Sequence, residues 1–370
     1  MLIRLMDIKK LRAIAMYLPQ FHPIPENDEW WGTGFTEWTN VTKAKPLFNG
    51  HHQPQLPADL GFYDLRVPDV REQQAALAKE YGIHGFCYYH YWFGSKRLLE
   101  RPFEEVLQSG KPDFPFCLCW ANESWGRGWL GGNENILIEQ EYSEDDLRKH
   151  ARWLVKAFAD KRYIRVNNKP VFLIYRFIGI PKEIAAVKIL RDEISQCSGD
   201  DPYLIAIDVH NEDFDYRAAG FDHILAFKPS LGKLHAAFYD KPLFSKLRRN
   251  IRLGVINRTL KIYDYEEAVT TMALKSSVEK IPCALVGWDN SPRREERGII
   301  FKNCNPESFG RVIEKELTAW VKSDPSVDLF FINGWNEWAE GNFLEPSQQF
   351  GLGYLQAFRN AIGRIEKSPG

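Results

Sequence analysis

The chain has 370 residues, a length that suits one large domain with a substantial core or two smaller domains. Its formal net charge of −1 at pH 7 gives no sign of the strongly basic surface by which proteins bind nucleic acid. The composition is rich in aromatic residues, with 12 Trp, 15 Tyr and 24 Phe. Trp and Tyr present flat apolar rings with a polar edge, so they fit the binding of sugars where they gather near strand ends.

The six cysteines indicate that the protein resides in a reducing cellular compartment. Four of them lie in apolar, strand-like runs, where a thiol behaves as a small hydrophobic group, and no pair has the Cys-x-x-Cys spacing. The first ten residues contain no apolar run as long as that of a signal peptide, and no stretch of about eighteen apolar residues occurs. We therefore predict a cytoplasmic protein with reduced thiols and no membrane-spanning segment.

Short apolar runs recur along the chain, and each begins apolar and ends in polar or aromatic residues. Continuous apolar runs of this length are typical of strands that are buried on both faces, as in a parallel sheet. In chain order the predicted strands are 13–22, 85–92, 115–122, 171–176, 203–208, 223–228, 283–289 and 328–341.

Helical patterns fill the gaps between these strands. They cover 69–81, a run that follows the capping box at Ser143, a run that follows Asn305-Pro306, and a last run from about Ser347 to Ile365. Eight strands that alternate with helices predict a (β/α)8 TIM barrel, which forms a single domain over residues 1–370. A doubly wound sheet is the second interpretation, but eight strands with polar ends favour the barrel.

Two connections are longer than a barrel needs. One follows the first strand and runs from Pro23 to Pro68, and the other follows the sixth strand and contains the stretch from Lys241 to Lys261. Long connections in a compact domain are usually functional loops, and both follow the carboxyl ends of strands, where the active site of a TIM barrel lies.

The catalytic pair is predicted directly after the last strand, where Glu337 and Glu340 stand three positions apart among Asn and Trp. Two carboxyl groups this close in sequence can be held near each other, so that one stays ionised while the other keeps its proton, which suits acid/base chemistry on a sugar. The other strand ends and the first long loop supply aromatic rings for stacking and polar groups for hydroxyls. The predicted substrate-binding residues are Tyr17, Gln20, His22, Trp31, Trp38, Tyr89, His90, Trp92, Trp120, Asn122, Glu123, Arg176, Asp208, Trp288, Asp289, Asn336 and Trp338.

We predict no cofactor and no metal, because the motifs that could indicate one are unconvincing. Residues 126–131 match the G-x-G-x-x-G pattern of dinucleotide-binding loops, but no helical pattern follows and Trp129 is too large for a loop that holds a pyrophosphate. Asp213 and Asp215 match the D-x-D of metal-dependent glycosyltransferases, a match short enough to arise by chance. The sequence contains no paired Cys and His spacing of the kind that binds zinc.

Five segments together resemble a known family. They read YLPQFH (17–22), WWGTGFTEW (30–38), GFCYYHYW (85–92), WANE (120–123) and NEWAEG (336–341). They are similar to the WbsX-like family, which is found in gene clusters for bacterial O-antigen and other surface polysaccharides. That family is often labelled glycosyltransferase and is related to glycoside hydrolase family 99, the endo-α-mannosidases and mannanases. The resemblance spans about residues 13–360.

The resemblance implies a TIM barrel and the retaining cleavage of α-mannosidic bonds without a metal. In family 99 the first Glu of the last motif acts as a base on the 2-hydroxyl and gives a 1,2-anhydro sugar, and the second Glu is the general acid/base. By the motif these roles fall on Glu337 and Glu340. The chain has Ala339 where family 99 typically has His.

The first functional hypothesis is therefore a retaining glycosidase or transglycosylase that acts on a bacterial polysaccharide or its lipid-linked precursor. A glycosyltransferase with a nucleotide-sugar or lipid-phosphate donor is the second hypothesis. A non-catalytic glycan-binding barrel is the third, and it would not need both carboxylates.

The stretch from Lys241 to Lys261 is basic and amphipathic, which predicts peripheral contact with an anionic membrane at its cytoplasmic face. A lid helix that packs on the barrel is the alternative.

Overall fold

The structure is a computed structural model, and it describes residues 11–127, 136–181, 185–209, 214–232, 234–235, 260–273 and 279–367. Most of the basic stretch, residues 241–259, lies outside the described residues, as do Asp213 and the greater part of the G-x-G-x-x-G match. Within the described ranges no helix is both long enough and apolar enough to cross a membrane.

Eight parallel strands form a closed barrel. They are β1 (Arg12–Tyr17), β2 (Gly85–Phe93), β3 (Phe116–Trp120), β4 (Lys169–Ile174), β5 (Tyr203–Asp208), β6 (His223–Ala226), β7 (Ile281–Leu285) and β8 (Leu329–Asn333). Closure is visible at β1, which pairs with β2 through Ile14 and Gly85 and with β8 through Arg12 and Leu329. A doubly wound sheet would leave two open edges, so the predicted barrel is confirmed.

Helices surround the barrel. Their bounds are α1 (Pro25–Trp31), α2 (Glu37–Lys43), α3 (Pro68–Glu80), α4 (Arg101–Ser109), α5 (Glu144–Phe158), α6 (Ala186–Ser198), α7 (Tyr265–Met272), α8 (Ser291–Arg294), α9 (Pro306–Lys322) and α10 (Gly353–Lys367). Two of them begin at predicted caps: the Ser143 hydroxyl accepts from the Asp146 N–H, and the Asn305 side chain accepts from two backbone N–H groups. The assignment of all residues to a single domain stays a prediction.

The first long connection contains α1 and α2, which lie at the carboxyl ends of the strands together with the turns that follow β7 and β8. A second, smaller pairing joins Lys261–Asp264 to Ile299–Lys302. All six cysteines are free thiols.

The end of the chain differs from its prediction at two places. The last strand ends at Asn333, and the residues after it form a short hairpin in which Asn336–Glu337 pairs with Asn342–Phe343 around a 3₁₀ turn. The last helix begins at Gly353 because Ser347 and Gly351 exchange backbone hydrogen bonds of 2.7 and 3.3 Å in a turn.

Candidate active site

Three glutamates meet one arginine at the mouth of the barrel. Arg293 Nη1 donates to Glu340 Oε1 at 2.6 Å, and Arg293 Nη2 donates to Glu337 Oε2 at 3.2 Å and also to Glu37 Oε1. The side chains of Arg293, Glu337 and Glu340 are 13%, 9% and 14% exposed, and that of Glu37 is fully buried. The site is therefore a compact, nearly dry cluster of three carboxyl groups around one guanidinium.

The four members of the cluster come from three connections of the barrel. Glu337 and Glu340 belong to the hairpin after β8, Arg293 lies in the short helix α8 after β7, and Glu37 is the first residue of α2 in the long loop after β1. The hairpin and the α8 turn are joined because the Asp289 N–H donates to the Glu340 carbonyl at 2.6 Å. The TIM barrel brings these parts together because its strand carboxyl ends share one mouth.

A close approach fixes the end of the hairpin. Gly341 has a left-handed φ of 59°, and a Cβ at this position would lie 2.9 Å from Asp289 Cβ. Glycine is therefore required both by the backbone conformation and by the lack of space.

Burial and mutual repulsion make the carboxyl pair retain protons. The pKa of Glu337 is raised to about 8, chiefly by burial and then by the charge of Glu340, while Arg293 opposes the rise. The pKa of Glu340 is also raised, first by burial and against the influence of Arg293. Burial alone would lower the pKa of Arg293, but the three carboxyl groups outweigh it and raise that pKa. At neutral pH the pair thus keeps a proton while the guanidinium stays charged.

Three buried tyrosines lie close enough to this pair for its charge to act on them. Burial, and then the charge of Glu337, raise the pKa of Tyr89 and Tyr91 well above its ordinary value. The pKa of Tyr175 is raised by burial and then by the charges of Glu123 and Glu340. All three phenols therefore remain protonated and can donate hydrogen bonds beside the carboxyl pair.

Another buried carboxyl group lies next to the hairpin. Glu345 is 1% exposed, and it accepts hydrogen bonds from the Tyr63 hydroxyl at 2.8 Å, from Trp338 Nε1 at 2.7 Å and from Gln74 Nε2 at 2.7 Å. Gln74 in turn accepts from the Tyr17 hydroxyl at 2.7 Å. Burial raises the pKa of Glu345 to about 7, although its hydrogen bonds oppose the rise. The predicted binding residues Tyr17 and Trp338 thus serve this network between the strands and α3.

Trp38 and Asn336 hold the same region together. Trp38 Nε1 donates to the Tyr63 carbonyl at 2.9 Å, and the ring centroid lies 5.6 Å from that of Trp338. Asn336 is fully buried and binds both backbone groups of Leu18, at 2.7 Å to the N–H and 3.0 Å to the carbonyl. Both side chains therefore join the first long loop and β1 to the hairpin.

Three other predicted residues lie between the barrel and α5. His90 stacks on Trp153 at 4.5 Å, and its Nε2 lies 3.0 Å from Nε2 of His150. Trp92 Nε1 donates to α5, and Trp120 lies 4.8 Å from the His150 ring. Alternate residues of a strand point to opposite faces, and these three point away from the carboxyl cluster.

The predicted residues after β3, β4 and β5 are engaged in polar contacts. Asn122 binds the backbone of Arg176, accepting from its N–H at 2.7 Å and donating to its carbonyl at 2.9 Å. Glu123 and Arg176 form an ion pair of 3.0 Å in which both side chains are exposed. Asp208 accepts from Lys280 Nζ at 2.7 Å in a buried ion pair. Only the Glu123–Arg176 pair is thus accessible at the rim.

The tip of β7 contains the next pair of predicted residues. Trp288 is 8% exposed, and within the described part of the chain its indole N–H has no hydrogen-bond partner. Asp289 Oδ2 accepts from Gln53 at 2.6 Å and from His51 at 2.7 Å, and Oδ1 accepts from the Ser291 N–H at 3.0 Å. Asp289 thus anchors the first long loop and the start of α8, the helix that contains the cluster's arginine.

The remaining predicted residues lie along the first long loop. The Gln20 carbonyl accepts from the Glu37 N–H at 2.9 Å. His22 is 2% exposed with Nδ1 3.1 Å from the Pro19 carbonyl, and burial lowers its pKa to about 4. Trp31 is half-buried. Gln20 thus helps to place Glu37 through its backbone.

Two members of the cluster were absent from the predicted site. Glu37 lies inside the WWGTGFTEW segment, and Arg293 lies four positions beyond Asp289. An extension of the polar end of the seventh strand past Asp289 would have included Arg293.

Comparison with known proteins bears on the whole chain. Residues 13–358 match the family described as Glycosyltransferase WbsX. Two proteins of Xanthomonas campestris pv. campestris, each described as uncharacterized protein WxcX, are 38% identical to this chain over 354 residues. The match covers 95% of this chain but 49% of those proteins, so the chain spans about half the length of these relatives.

Solved structures show a similar fold. Two structures of the family GH99 endo-α-mannosidase from Bacteroides thetaiotaomicron have TM-scores of 0.58 and 0.56 at 14% identity. The alignment covers 96% of this chain and 98% or 97% of theirs. A glycoside hydrolase-like protein aligns with a TM-score of 0.55 at 15% identity over 95% of this chain and 94% of its own. At 14% to 15% sequence identity, the similarity to these structures concerns the fold alone.

The resemblance seen in the sequence is confirmed by the match over residues 13–358 and by the relatives at 38% identity. The chain therefore belongs to the glycosyltransferase WbsX family.

Proposed function

We propose that the chain is a retaining glycoside hydrolase or transglycosylase, similar to an endo-α-mannosidase, that acts on a bacterial surface polysaccharide or its precursor. The observation that carries this proposal is the buried pair Glu337 and Glu340 on the shared Arg293. A pair of carboxyl groups that holds a proton at neutral pH can donate it to a leaving group with one member and accept one with the other.

The proposed reaction uses the two carboxyl groups, the sugar and, as the acceptor, water or a hydroxyl group. Glu340 gives its proton to the glycosidic oxygen as the bond from that oxygen to C1 breaks. Glu337 takes the proton of the 2-hydroxyl, whose oxygen attacks C1, or attacks C1 itself as the nucleophile. Water or an acceptor hydroxyl then attacks C1 and gives its proton to Glu340. At the same time the C1–O2 bond breaks and O2 takes its proton back from Glu337 or, where Glu337 was the nucleophile, the ester bond from C1 to Glu337 breaks, so two displacements retain the configuration.

The substrate-free cluster has the opposite proton distribution. Glu340 makes the shorter bond to Arg293, which favours its ionised form, and Glu337 has a pKa of about 8. Either the bound sugar reverses this distribution or the two roles are exchanged. The structure thus makes the assignment of the acid an experimental question with two defined answers.

Substrates with different leaving groups answer it. A phenol that departs readily needs no proton, so loss of the acid should be mild with an activated aryl glycoside and severe with a natural disaccharide. Loss of the base should be severe with both. Glu340→Gln and Glu337→Gln are therefore compared on the two substrates, and the variant that retains activity on the aryl glycoside has lost the acid.

The tyrosines and the rim are proposed to bind the sugar. Tyr89, Tyr91 and Tyr175 offer phenol donors at the carboxyl pair, and the Glu123–Arg176 pair offers charged partners for hydroxyls further out. Half-buried Trp31 offers a ring face in the first long loop. A lipid-linked substrate would carry a pyrophosphate group, which would bind outside this set of sugar-binding residues.

Glycan turnover tests the proposal directly. The chain is incubated with α-mannan oligosaccharides and with bacterial O-antigen and capsular polysaccharides, and the first-formed anomer is identified by NMR. Retention of configuration supports the proposal. Inversion, or the absence of any cleavage or transfer in the panel, refutes it.

A glycosyltransferase of lipopolysaccharide O-antigen synthesis is the second candidate, and the description of the family supports it. A nucleotide-sugar donor requires affinity for UDP or GDP, usually with a divalent metal. Calorimetric titration with both nucleotides, with and without Mn²⁺, distinguishes the candidates, because the glycosidase mechanism predicts no nucleotide binding.

A further inference from the structure

Arg293 binds the two proposed catalytic carboxyl groups unequally. Its Nη1 is 2.6 Å from Glu340, whereas its Nη2 is 3.2 Å from Glu337 and is shared with Glu37. Charge-assisted hydrogen bonds are strongest when they are short and the acceptor is ionised. The geometry therefore favours a negative charge on Glu340, whereas Glu337 has the weaker hydrogen bond to the guanidinium.

Glu37 competes with Glu337 for one nitrogen of the guanidinium. Its carboxyl group is fully buried and accepts from the same nitrogen that faces Glu337. Among the described residues its second oxygen, Oε2, has no hydrogen-bond partner. A buried carboxyl oxygen without a donor costs stability, so a purely structural role does not account for this residue.

Without the guanidinium the pair would lose its division of charge. Burial raises the pKa of both carboxyl groups, and without the cation that opposes this rise both would tend to keep protons, so that neither would be an effective base at neutral pH. With the guanidinium but without Glu37, Nη2 would no longer be shared with Glu37 and would approach Glu337 more closely, and the charges of the pair would become more nearly equal.

We propose that Arg293, held by Glu37, is the positioning residue that gives Glu337 and Glu340 opposite charge states and thereby divides the acid and base roles between them. This inference rests on the proposed function for its catalytic meaning. The charge division itself can be measured without any substrate.

Other polar groups around the pair do not replace Arg293 and Glu37 in setting the charges of the two carboxyl groups. Tyr89 and Tyr91 of β2 and Tyr175, which directly follows β4, keep their protons because their pKa values are raised, and Arg294 acts on Glu340 through its charge. Among the described residues, the charged and titratable groups that act on the pair or respond to its charge include Glu37, Arg293, Arg294, Tyr89, Tyr91, Tyr175 and, beyond Tyr175, Glu123.

The test uses the full chain with ¹³C-labelled glutamate side chains, and the carboxyl resonances of the pair are assigned from Glu337→Gln and Glu340→Gln. Glu37→Gln keeps the shape of the side chain but removes its charge. Because the negative charge of Glu37 raises the pKa of both Glu337 and Glu340, and its removal lets Nη2 approach Glu337, the variant should titrate Glu337 at a lower pH and nearer to Glu340. The same displacement should move the corresponding limb of the pH profile of kcat/KM.

Arg293→Lys is the second variant, and it keeps the charge but loses the planar fork that reaches both carboxyl groups. The two titration midpoints should move closer together, and kcat should fall about 100-fold with a much smaller change of KM. Asp192→Asn is the matched control, since Asp192 is an exposed carboxylate paired with Lys188 on α6. The control should leave both titrations and the activity unchanged.

Unchanged titrations of Glu337 and Glu340 in a folded Glu37→Gln or Arg293→Lys protein overturn the inference. If one variant fails to fold, the other alone decides. If the wild-type chain cleaves no glycan and yet both variants move the carboxyl titrations as expected, the proposed function fails while the charge division stands.

Discussion

Replacement of Glu345 by Gln tests the protonation of the buried network beside the hairpin. Glu345 is 1% exposed, and its burial raises the pKa from the ordinary 4.5 to about 7. The folded state therefore holds this proton more tightly than the unfolded state. The resulting stabilisation is fully present below pH 4.5 and is lost as the pH rises through 7.

The size of the effect follows from this interval. At about 1.4 kcal/mol for each pKa unit, a rise from 4.5 to about 7 corresponds to about 3–4 kcal/mol. Between pH 5 and pH 8 the wild-type free energy of unfolding should fall by about 2–3 kcal/mol more than that of Glu345→Gln. A constant loss from altered hydrogen bonds to Tyr63, Trp338 or Gln74 does not affect this difference between slopes.

Urea unfolding, followed by tryptophan fluorescence at pH 5, 6, 7 and 8 and at constant ionic strength, measures the effect. Glu307→Gln is the control, because the Glu307 side chain is 85% exposed and its replacement should leave the wild-type slope unchanged. Parallel pH dependences of the wild type and Glu345→Gln would refute the argument and show that Glu345 is ionised in the folded protein.

Four further predictions concern the site, the core and the basic stretch. Glu340→Gln should lose far more turnover than binding, as measured by kcat and by the Kd of an oligosaccharide, and full activity would transfer its role to another carboxyl group. In a crystal structure with bound glycan the carboxyl groups of Glu337 and Glu340 should lie roughly 5 Å apart, and a wider gap would indicate inversion. Burial lowers the pKa of His90 to about 3, so the unfolded state alone takes up this proton below pH 6.5. Stability should therefore fall by about 1.4 kcal/mol per pH unit in acid, and His90→Gln should flatten the dependence measured in urea. The chain should sediment with vesicles of anionic lipid at low salt, and less of it should do so after Arg248→Glu with Arg249→Glu. Equal recovery in the supernatant with and without vesicles would refute membrane contact and favour the alternative of a lid helix.

The barrel could be predicted because its signals are local and repeated. Each strand is a short apolar run with a polar end, and the caps at Ser143 and Asn305 mark where helices begin. The end of β8 was less predictable, since residues 328–341 form one apolar-to-polar run although pairing with β1 and β7 stops by Asn333. The hairpin that follows depends on Asn342 and Phe343, which no local pattern marks as a strand.

The candidate site was predictable in its carboxyl pair and less so in its surroundings. A residue at a strand end can face the mouth or the helices, and a shift of one position exchanges the two. His90 and Trp120 thus contact α5, while Tyr89 faces the pair. Arg293 was missed because its role depends on Glu37, 256 positions away, and no spacing rule connects two loops so distant.

The closure of the barrel has a consequence for biosynthesis. β1 cannot pair with its second neighbour until β8, more than three hundred residues later in the chain, has been synthesised. The Arg12 side chain likewise cannot bind Asp328 until the ribosome has reached that part of the chain. A chain that emerges from the ribosome amino end first therefore holds Glu37 for most of its synthesis without Arg293 or the carboxyl pair. Such late, long-range closure is slow and exposes strand edges in the meantime. We expect the nascent chain to depend on chaperones until the last strand is released, and activity to arise in a single late step rather than gradually.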